Sequence, residues 1–175
     1  KYGVAPDATL YTYQTATDGA ASSGSCKQGT QELDTIANLI NQAIDDGAQI
    51  ISISLSSTDH DKDLKWAITR AVSQGVIIVS SMGNKAADEN NAHLAWWSGV
   101  VGVSAIHTDG TFASYSSWGN GVVTAAIGGP VTIRSSSSGE TTTTEGTSNA
   151  TALVSGMLAL ARQKWPDATT NQILQ

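Results

Sequence analysis

The hydrophobic positions along the chain follow two spacings that alternate and predict helices and strands in turn. Apolar residues at helical spacing from about Thr30 to Ile44 predict an amphipathic helix that Gly47 ends, and the same spacing over 64–72 predicts a second helix that Gly75 ends. Continuous β-branched runs over 48–55 and 76–84 are typical of strands buried on both faces. Strands and helices alternating at this spacing predict right-handed crossovers and a parallel sheet.

Weaker patterns on either side extend this prediction. Further strands are predicted over 8–14, 100–106, 122–127 and 131–135. The stretch 148–165 is apolar nearly all round, so we expect a helix that runs through the core rather than along the surface. A short helix is expected after Pro166, with Thr169 or Thr170 as its N-cap. The fold predicted is α/β, with a mainly parallel sheet between helices on both faces.

Composition narrows the class of protein. The 175 residues suit a single domain over 1–175, and 40% hydrophobic with 14% charged residues is typical of a globular chain. The net charge of -6, with single scattered lysines and arginines, argues against nucleic acid or an anionic membrane as the main partner. The sequence contains no run of about 18 apolar residues, so it predicts no membrane span. A single cysteine, Cys26, excludes an internal disulfide.

Polar residues follow two of the predicted strands. Ser54 to Ser57 lie at the end of the first strand, and "SSMGN", 80–84, ends the second. Neighbouring parallel strands bring such ends to one edge of the sheet, where ligands bind in open α/β sheets. Ser148 begins the last long helix, where free N–H groups favour developing negative charge. Two interpretations stay open for each residue: Ser148 is a nucleophile or an N-cap, and Asn84 donates to an oxyanion or only forms a turn.

A nucleophile elbow of the α/β-hydrolase type is the nearest alternative catalytic motif, because "GTSNA" at 146–150 almost matches it. That motif requires a buried strand just before the serine and a histidine downstream of it. Here "SSSSGETTTTEG" precedes Ser148, and no histidine follows it. Both requirements fail, so the sequence argues against an elbow.

Five segments in order resemble the subtilisin-like serine peptidases, the subtilases. "GVAPDATLY" is similar to the strand entry after that family's histidine helix, "IISISLS" to its substrate-flanking strand, and "VIIVSSMGN" to the strand ending in its oxyanion asparagine. "TFASYSSWGNGVVTAAIGG" resembles the Phe-Ser-Asn-x-Gly segment with the Ala-Pro-Gly after it, and "EGTSNATALVSG" the nucleophile motif. The resemblance covers nearly the whole chain and implies a subtilisin-like three-layer fold, truncated at its N-terminal side.

The resemblance also implies site residues. Ser148 corresponds to the nucleophile, and Asn84 with the Ser148 backbone N–H to the two oxyanion donors. Two segments correspond to opposite borders of the primary specificity pocket: Ser54, Leu55 and Ser56 on one side, and Ser81, Met82 and Gly83 on the other.

Departures from the family pattern occur at several positions. Ala152 stands where the family has Pro, Leu153 where it usually has His, and Asn149 where Met is common. The family's Asp and its His-Gly-Thr-His helix belong before "GVAP", which begins here at Gly3, so both are missing from this chain. The three histidines, His60, His93 and His107, have no such motif around them, and we expect each to face solvent.

The functional expectation is therefore the C-terminal part of a subtilase catalytic domain. Its whole protein would cleave polypeptide substrates through an acyl-enzyme at Ser148, while the isolated chain would be inactive. The alternative is a degenerate subtilase fold that serves as a binding or structural module. Secretion or a cell-surface location, and calcium, follow from the resemblance alone, since no acidic cluster here has calcium-loop spacing. Without the family's first strand and histidine helix, a sheet edge and an apolar face would lack their cover, which predicts self-association or pairing with the missing N-terminal portion.

Overall fold

A computed structural model describes residues 3–15, 34–55, 62–89, 94–134 and 139–175 of the chain. Cys26, His60 and His93 lie outside these ranges, and so does the pocket residue Ser56. The α-helices and strands that the structure describes are α1 (Ile36–Asp45), β1 (Ile50–Ile53), α2 (Lys62–Ser73), β2 (Ile77–Ser81), β3 (Val100–Ile106), β4 (Val122–Ile127), β5 (Val131–Arg134), β6 (Thr141–Thr144), α3 (Thr147–Lys164) and α4 (Thr170–Leu174). A short 3-10 helix, Leu94–Trp96, precedes β3.

Helix boundaries follow from capping and glycine chemistry. α1 begins later than predicted, at Ile36, because the Thr35 hydroxyl accepts from the Asn38 N–H and caps it. Gly47 and Gly75 have φ of 84° and 73°, so both end their helices in the left-handed conformation, as predicted. Thr169 caps α4 in a capping box with Gln172, which confirms one of the two predicted caps.

Four parallel strands form the main sheet in the order β1-β2-β3-β4. α1 and α2 cover one face, where Ile40, Leu64 and Ile78 belong to one buried cluster. α3 covers the other, where Val154 and Leu158 belong to a second cluster with Val103. The predicted three-layer α/β architecture is therefore confirmed.

A separate antiparallel hairpin, β5 with β6, follows the main sheet. The predicted strand over 131–135 is present as β5, whereas β6 was not predicted. Its four threonines are mostly exposed, so the hydrophobic pattern carries no signal there.

Two predictions about strands are wrong. Residues 8–14 form no strand, because no described backbone pairs with them; only Thr15 makes an isolated bridge, to Asp34. β1 is not buried on both faces: Ser52 is exposed and only Ile53 is buried, because β1 lies at the edge of the described sheet.

The expectation that α3 runs through the core is also wrong for the described structure. One side of α3 packs on the sheet, but Met157 and Leu160 on its other side are 51% and 42% exposed. Among the described residues, Val4 contacts this helix at Gly156 and α4 packs against it, but Met157 and Leu160 stay exposed. We call Met157 and Leu160 the uncovered face of α3.

Candidate active site

The carboxyl ends of β1 and β2 meet the first turn of α3. β1 leads directly into Ser54, whose hydroxyl donates to the Ser148 carbonyl oxygen at 3.4 Å. β2 leads through Gly83 to Asn84, which contacts Thr147. The structure therefore brings the two strand ends together, as predicted, and places the Ser148 turn beside both.

Asn84 has a defined amide orientation. Its Oδ1 accepts hydrogen bonds from the Thr147 N–H at 2.8 Å and from the Thr147 hydroxyl at 2.9 Å. Nδ2 is therefore the end that remains available, and it has no acceptor among the described residues. A Cβ placed on Gly146 would lie 3.2 Å from Nδ2, so the amide nitrogen lies over the turn that leads into Ser148.

Thr147 connects this turn to β2, a role that sequence reasoning missed. Its side chain is 1% exposed, and its hydroxyl accepts from the Gly83 N–H at 3.2 Å while donating to Asn84. Gly-Thr-Ser in the sequence was the available signal, but only the fold shows that the threonine faces Asn84.

Ser148 is not the N-cap of α3. The helix begins at Thr147, Gly146 occupies the cap position, and no side chain caps it. Among the described residues, neither the Ser148 hydroxyl nor its backbone N–H has a hydrogen-bond partner. Because the first N–H groups of a helix carry the positive end of its dipole, the Ser148 N–H is suited to an anionic oxygen. The arrangement presents a half-buried hydroxyl beside two unoccupied donors, Asn84 Nδ2 and Ser148 N–H.

The proposed pocket residues lie in different environments. Leu55 is 40% exposed and Ser54 is also exposed, so both face the edge of the site. Ser81 and Met82 are 4% and 0% exposed, so the Met82 side chain belongs to the core and borders no open pocket. Gly83 is buried and bonded to Thr147.

His107 and Tyr115 lie behind the start of α3. His107 is half-buried rather than solvent-facing, which corrects that expectation: its ring meets Tyr115 edge to face at 6.2 Å, and Nδ1 lies 3.4 Å from the Gly129 carbonyl oxygen. Burial raises the pKa of Tyr115, and the Glu145 carboxylate adds to this effect. His107 has no described hydrogen bond to Ser148, so nothing in the described site supplies a base.

The described residues provide no set of side chains that matches the ligand preferences of calcium. Within the described ranges, no three His, Cys, Asp or Glu side chains come together as potential metal ligands. Asp109, for example, uses one carboxylate oxygen to accept from both the N–H and the hydroxyl of Thr111, which lowers its pKa. The described side chains therefore do not fit a carboxylate-rich calcium site. None of the described helices is long and apolar enough to cross a membrane.

Comparisons with known proteins identify the family of this chain. The model of the subtilase family (peptidase S8) matches residues 1–175. A thermostable alkaline protease of Halalkalibacterium halodurans is 34% identical over 99% of this chain, which spans 45% of that protein. Subtilisin Savinase of Lederbergia lenta is 33% identical over 98% of the chain, which spans 60% of it.

Solved structures give the same result. A cold-adapted subtilisin-like serine proteinase superposes with a TM-score of 0.70 at 26% identity, covering 79% of this chain and 50% of that one. The S218A mutant of the PatA protease domain has a TM-score of 0.70 at 25% identity, covering 82% and 56%. The chain spans roughly half the length of most of these proteins, and by sequence and fold it belongs to the subtilase family.

Proposed function

We propose that this chain is the C-terminal part of a serine endopeptidase domain that hydrolyses peptide bonds through an acyl-enzyme at Ser148. One observation carries the proposal: Thr147 occupies the Asn84 amide oxygen with two donors, which leaves Nδ2 directed toward the turn before Ser148. A turn-forming asparagine needs no such fixed orientation, whereas an oxyanion donor does.

The chemistry follows from these groups. Ser148 Oγ attacks the carbonyl carbon of the scissile bond and loses its proton to a base. Negative charge develops on the substrate oxygen, where Asn84 Nδ2–H and the Ser148 N–H donate to it. The amine leaves with a proton, and water then hydrolyses the ester. Donors fixed before the reaction lower the barrier because they need no reorganisation as charge develops.

The base and its acid partner would come from a segment preceding Lys1 in the whole protein. Without them we expect the isolated chain to be nearly inactive, because loss of the serine or its base reduces turnover of subtilisin by about 10⁶-fold. A fluorophosphonate probe tests this directly. The full-length protein should label at Ser148, and Ser148→Ala should abolish labelling.

Ser155→Ala is a matched control, since Ser155 lies on the same helix and bonds to Ser52 and Thr151 instead. It should label at the wild-type rate. Asn84→Ala should slow acylation by about 10²–10³-fold. A folded full-length protein that resists the probe would contradict the proposal and favour the alternative, a degenerate binding or structural module.

We also propose that the preceding segment packs against two surfaces of this chain. Among the described residues β1 pairs only with β2, so one edge of the main sheet is open. Met157 and Leu160 are exposed on the uncovered face of α3, and Leu10, in the N-terminal segment, is 84% exposed. Open sheet edges and exposed apolar side chains favour association.

Sedimentation velocity of the isolated chain tests this second proposal. We expect self-association that disappears when the preceding segment is supplied, either fused or as a separate polypeptide. A chain that stays monomeric at high concentration and does not bind the added segment would refute it. Met157→Lys should weaken association, whereas Val123→Lys, an exposed position on β4 at the other side of the sheet, should not.

Secretion or a cell-surface location is proposed from the relatives. The minor extracellular protease Epr of Bacillus subtilis is 31% identical over 98% of the chain. Detection of the full-length protein in washed culture medium, with a cytoplasmic marker absent, tests this location. Polypeptides are the substrate class proposed, and no nucleic acid is proposed as a partner.

A further inference from the structure

Asn149, directly after Ser148, makes a contact that the catalytic chemistry above does not use. Its Nδ2 donates to the Gly128 carbonyl oxygen at 3.0 Å, outside its own helix. Its side chain therefore has a tertiary role rather than a local one.

Gly128 is a rigid acceptor. Its carbonyl oxygen accepts from Gly146 N–H at 2.9 Å as well as from Asn149, while its own N–H donates to the Ile106 carbonyl oxygen at 2.9 Å. A carbonyl has two lone pairs, so it can accept both bonds at once. A Cβ on Gly128 would lie 2.5 Å from Ala105 Cβ and 2.9 Å from the Gly146 oxygen, so this backbone is closely packed.

Ser148 therefore lies between two residues that are fixed to different parts of the sheet. Thr147 bonds to Gly83 and Asn84 after β2, and Asn149 bonds to Gly128 after β4. Two attachments on either side of one residue restrain rotation of the helix start about its axis. That rotation would change the direction of the Ser148 hydroxyl relative to Asn84.

We propose that Asn149 is a positioning residue for acylation: its bond to Gly128 holds the start of α3 so that Ser148 and Asn84 keep their mutual geometry. This inference rests on the proposed function. None of the hydrogen bonds described for Asn149 involves a pocket-border residue, so loss of the bond should change the chemical step and leave substrate binding unchanged.

The test measures kcat and KM for a peptide ester with the full-length protein. Asn149→Ala should lower kcat about tenfold with KM within about twofold, since small misplacements at a reacting centre cost up to ~10²-fold. Asn149→Gln, whose longer amide can still reach Gly128, should recover part of kcat. Asn171→Ala, an exposed asparagine on α4, is the control and should change neither constant.

The outcomes separate this inference from the proposed function. Wild-type kcat in Asn149→Ala, an effect on KM alone, or a Gln variant no better than Ala overturns the positioning role while the peptidase stands. A wild-type protein that does not acylate overturns both. If Asn149→Ala does not fold, Asn149→Ser replaces it, because the serine hydroxyl is too short to reach Gly128, and the same loss of kcat is expected.

Discussion

Replacing Thr147 with valine removes one hydroxyl from the start of α3 and keeps the shape of the side chain. The hydroxyl donates to Asn84 Oδ1 and accepts from the Gly83 N–H in a site that is 1% exposed. Loss of the bond to Asn84 costs about 1 kcal/mol, and the Gly83 N–H left without an acceptor costs about 1–3 kcal/mol more. The added methyl group returns about 0.8 kcal/mol, so the free energy of unfolding should fall by about 2 kcal/mol.

Thr147→Ser is the informative counterpart, because it keeps the hydroxyl and removes the methyl group. It should cost only about 1 kcal/mol, as for deletion of one buried methyl group. If hydrogen bonding is the main role of Thr147, the Val variant should be less stable than the Ser variant. If packing is its main role, the order should be reversed.

Urea unfolding followed by circular dichroism measures both variants. With a slope of about 2 kcal/mol/M, a loss of 2 kcal/mol moves the midpoint by about 1 M at unchanged slope. The Gly83 amide should also exchange faster with solvent in the Val variant. A Val variant as stable as the wild type, or a Ser variant less stable than Val, refutes the reasoning.

Three further substitutions test other contacts. Gly128→Ala should destabilise the protein by several kcal/mol, since its Cβ would lie 2.5 Å from Ala105 Cβ, and thermal unfolding should show it; an unchanged midpoint would mean that the β4 end can move. The bond to Asp46 raises the pKa of Tyr13 to about 12, so its contribution to stability is present below about pH 10 and is lost as pH rises through 12. Tyr13→Phe should remove a tyrosinate that forms near pH 12 from the ultraviolet titration curve, and a curve that keeps it would assign that group elsewhere. The Arg70 guanidinium lowers the pKa of Asp45, so this pair stabilises the protein above about pH 4 and less as pH falls further. Asp45→Asn should reduce the dependence of the free energy of unfolding on pH below about pH 4. An unchanged dependence would contradict the role of the ion pair.

The sequence predicted the sheet better than its surroundings. β3 and β4 both have the predicted bounds, although β3 is buried along nearly its whole length and β4 only in part. Residues 8–14 have the alternating pattern of a strand but no described partner strand, and the partner of a strand cannot be predicted from its own sequence alone. The uncovered face of α3 was missed for a similar reason: an apolar pattern indicates what a helix can bury, and the covering layer decides what it does bury.

The candidate site divides in the same way. Ser54 and Asn84 were predicted to lie together because neighbouring parallel strands end at one edge, and Ser148 was added to them only by the resemblance to the subtilases. The bonds of Thr147 and Asn149 could not be predicted, since each joins residues far apart in sequence, Thr147 to Asn84 and Asn149 to Gly128. Such bonds depend on side-chain orientations that only the assembled fold determines.

The position of α3 late in the chain has a consequence for synthesis on the ribosome. The sheet face of Val79 and Val103 has Val154 and Leu158 as its helical cover, so it stays exposed in the nascent chain until those residues emerge. Thr147, which holds the Asn84 amide, arrives in the same segment. The last step that covers this face of the sheet would therefore also bring the proposed oxyanion donors together, and a chain halted before residue 147 would have neither the cover nor the assembled donors.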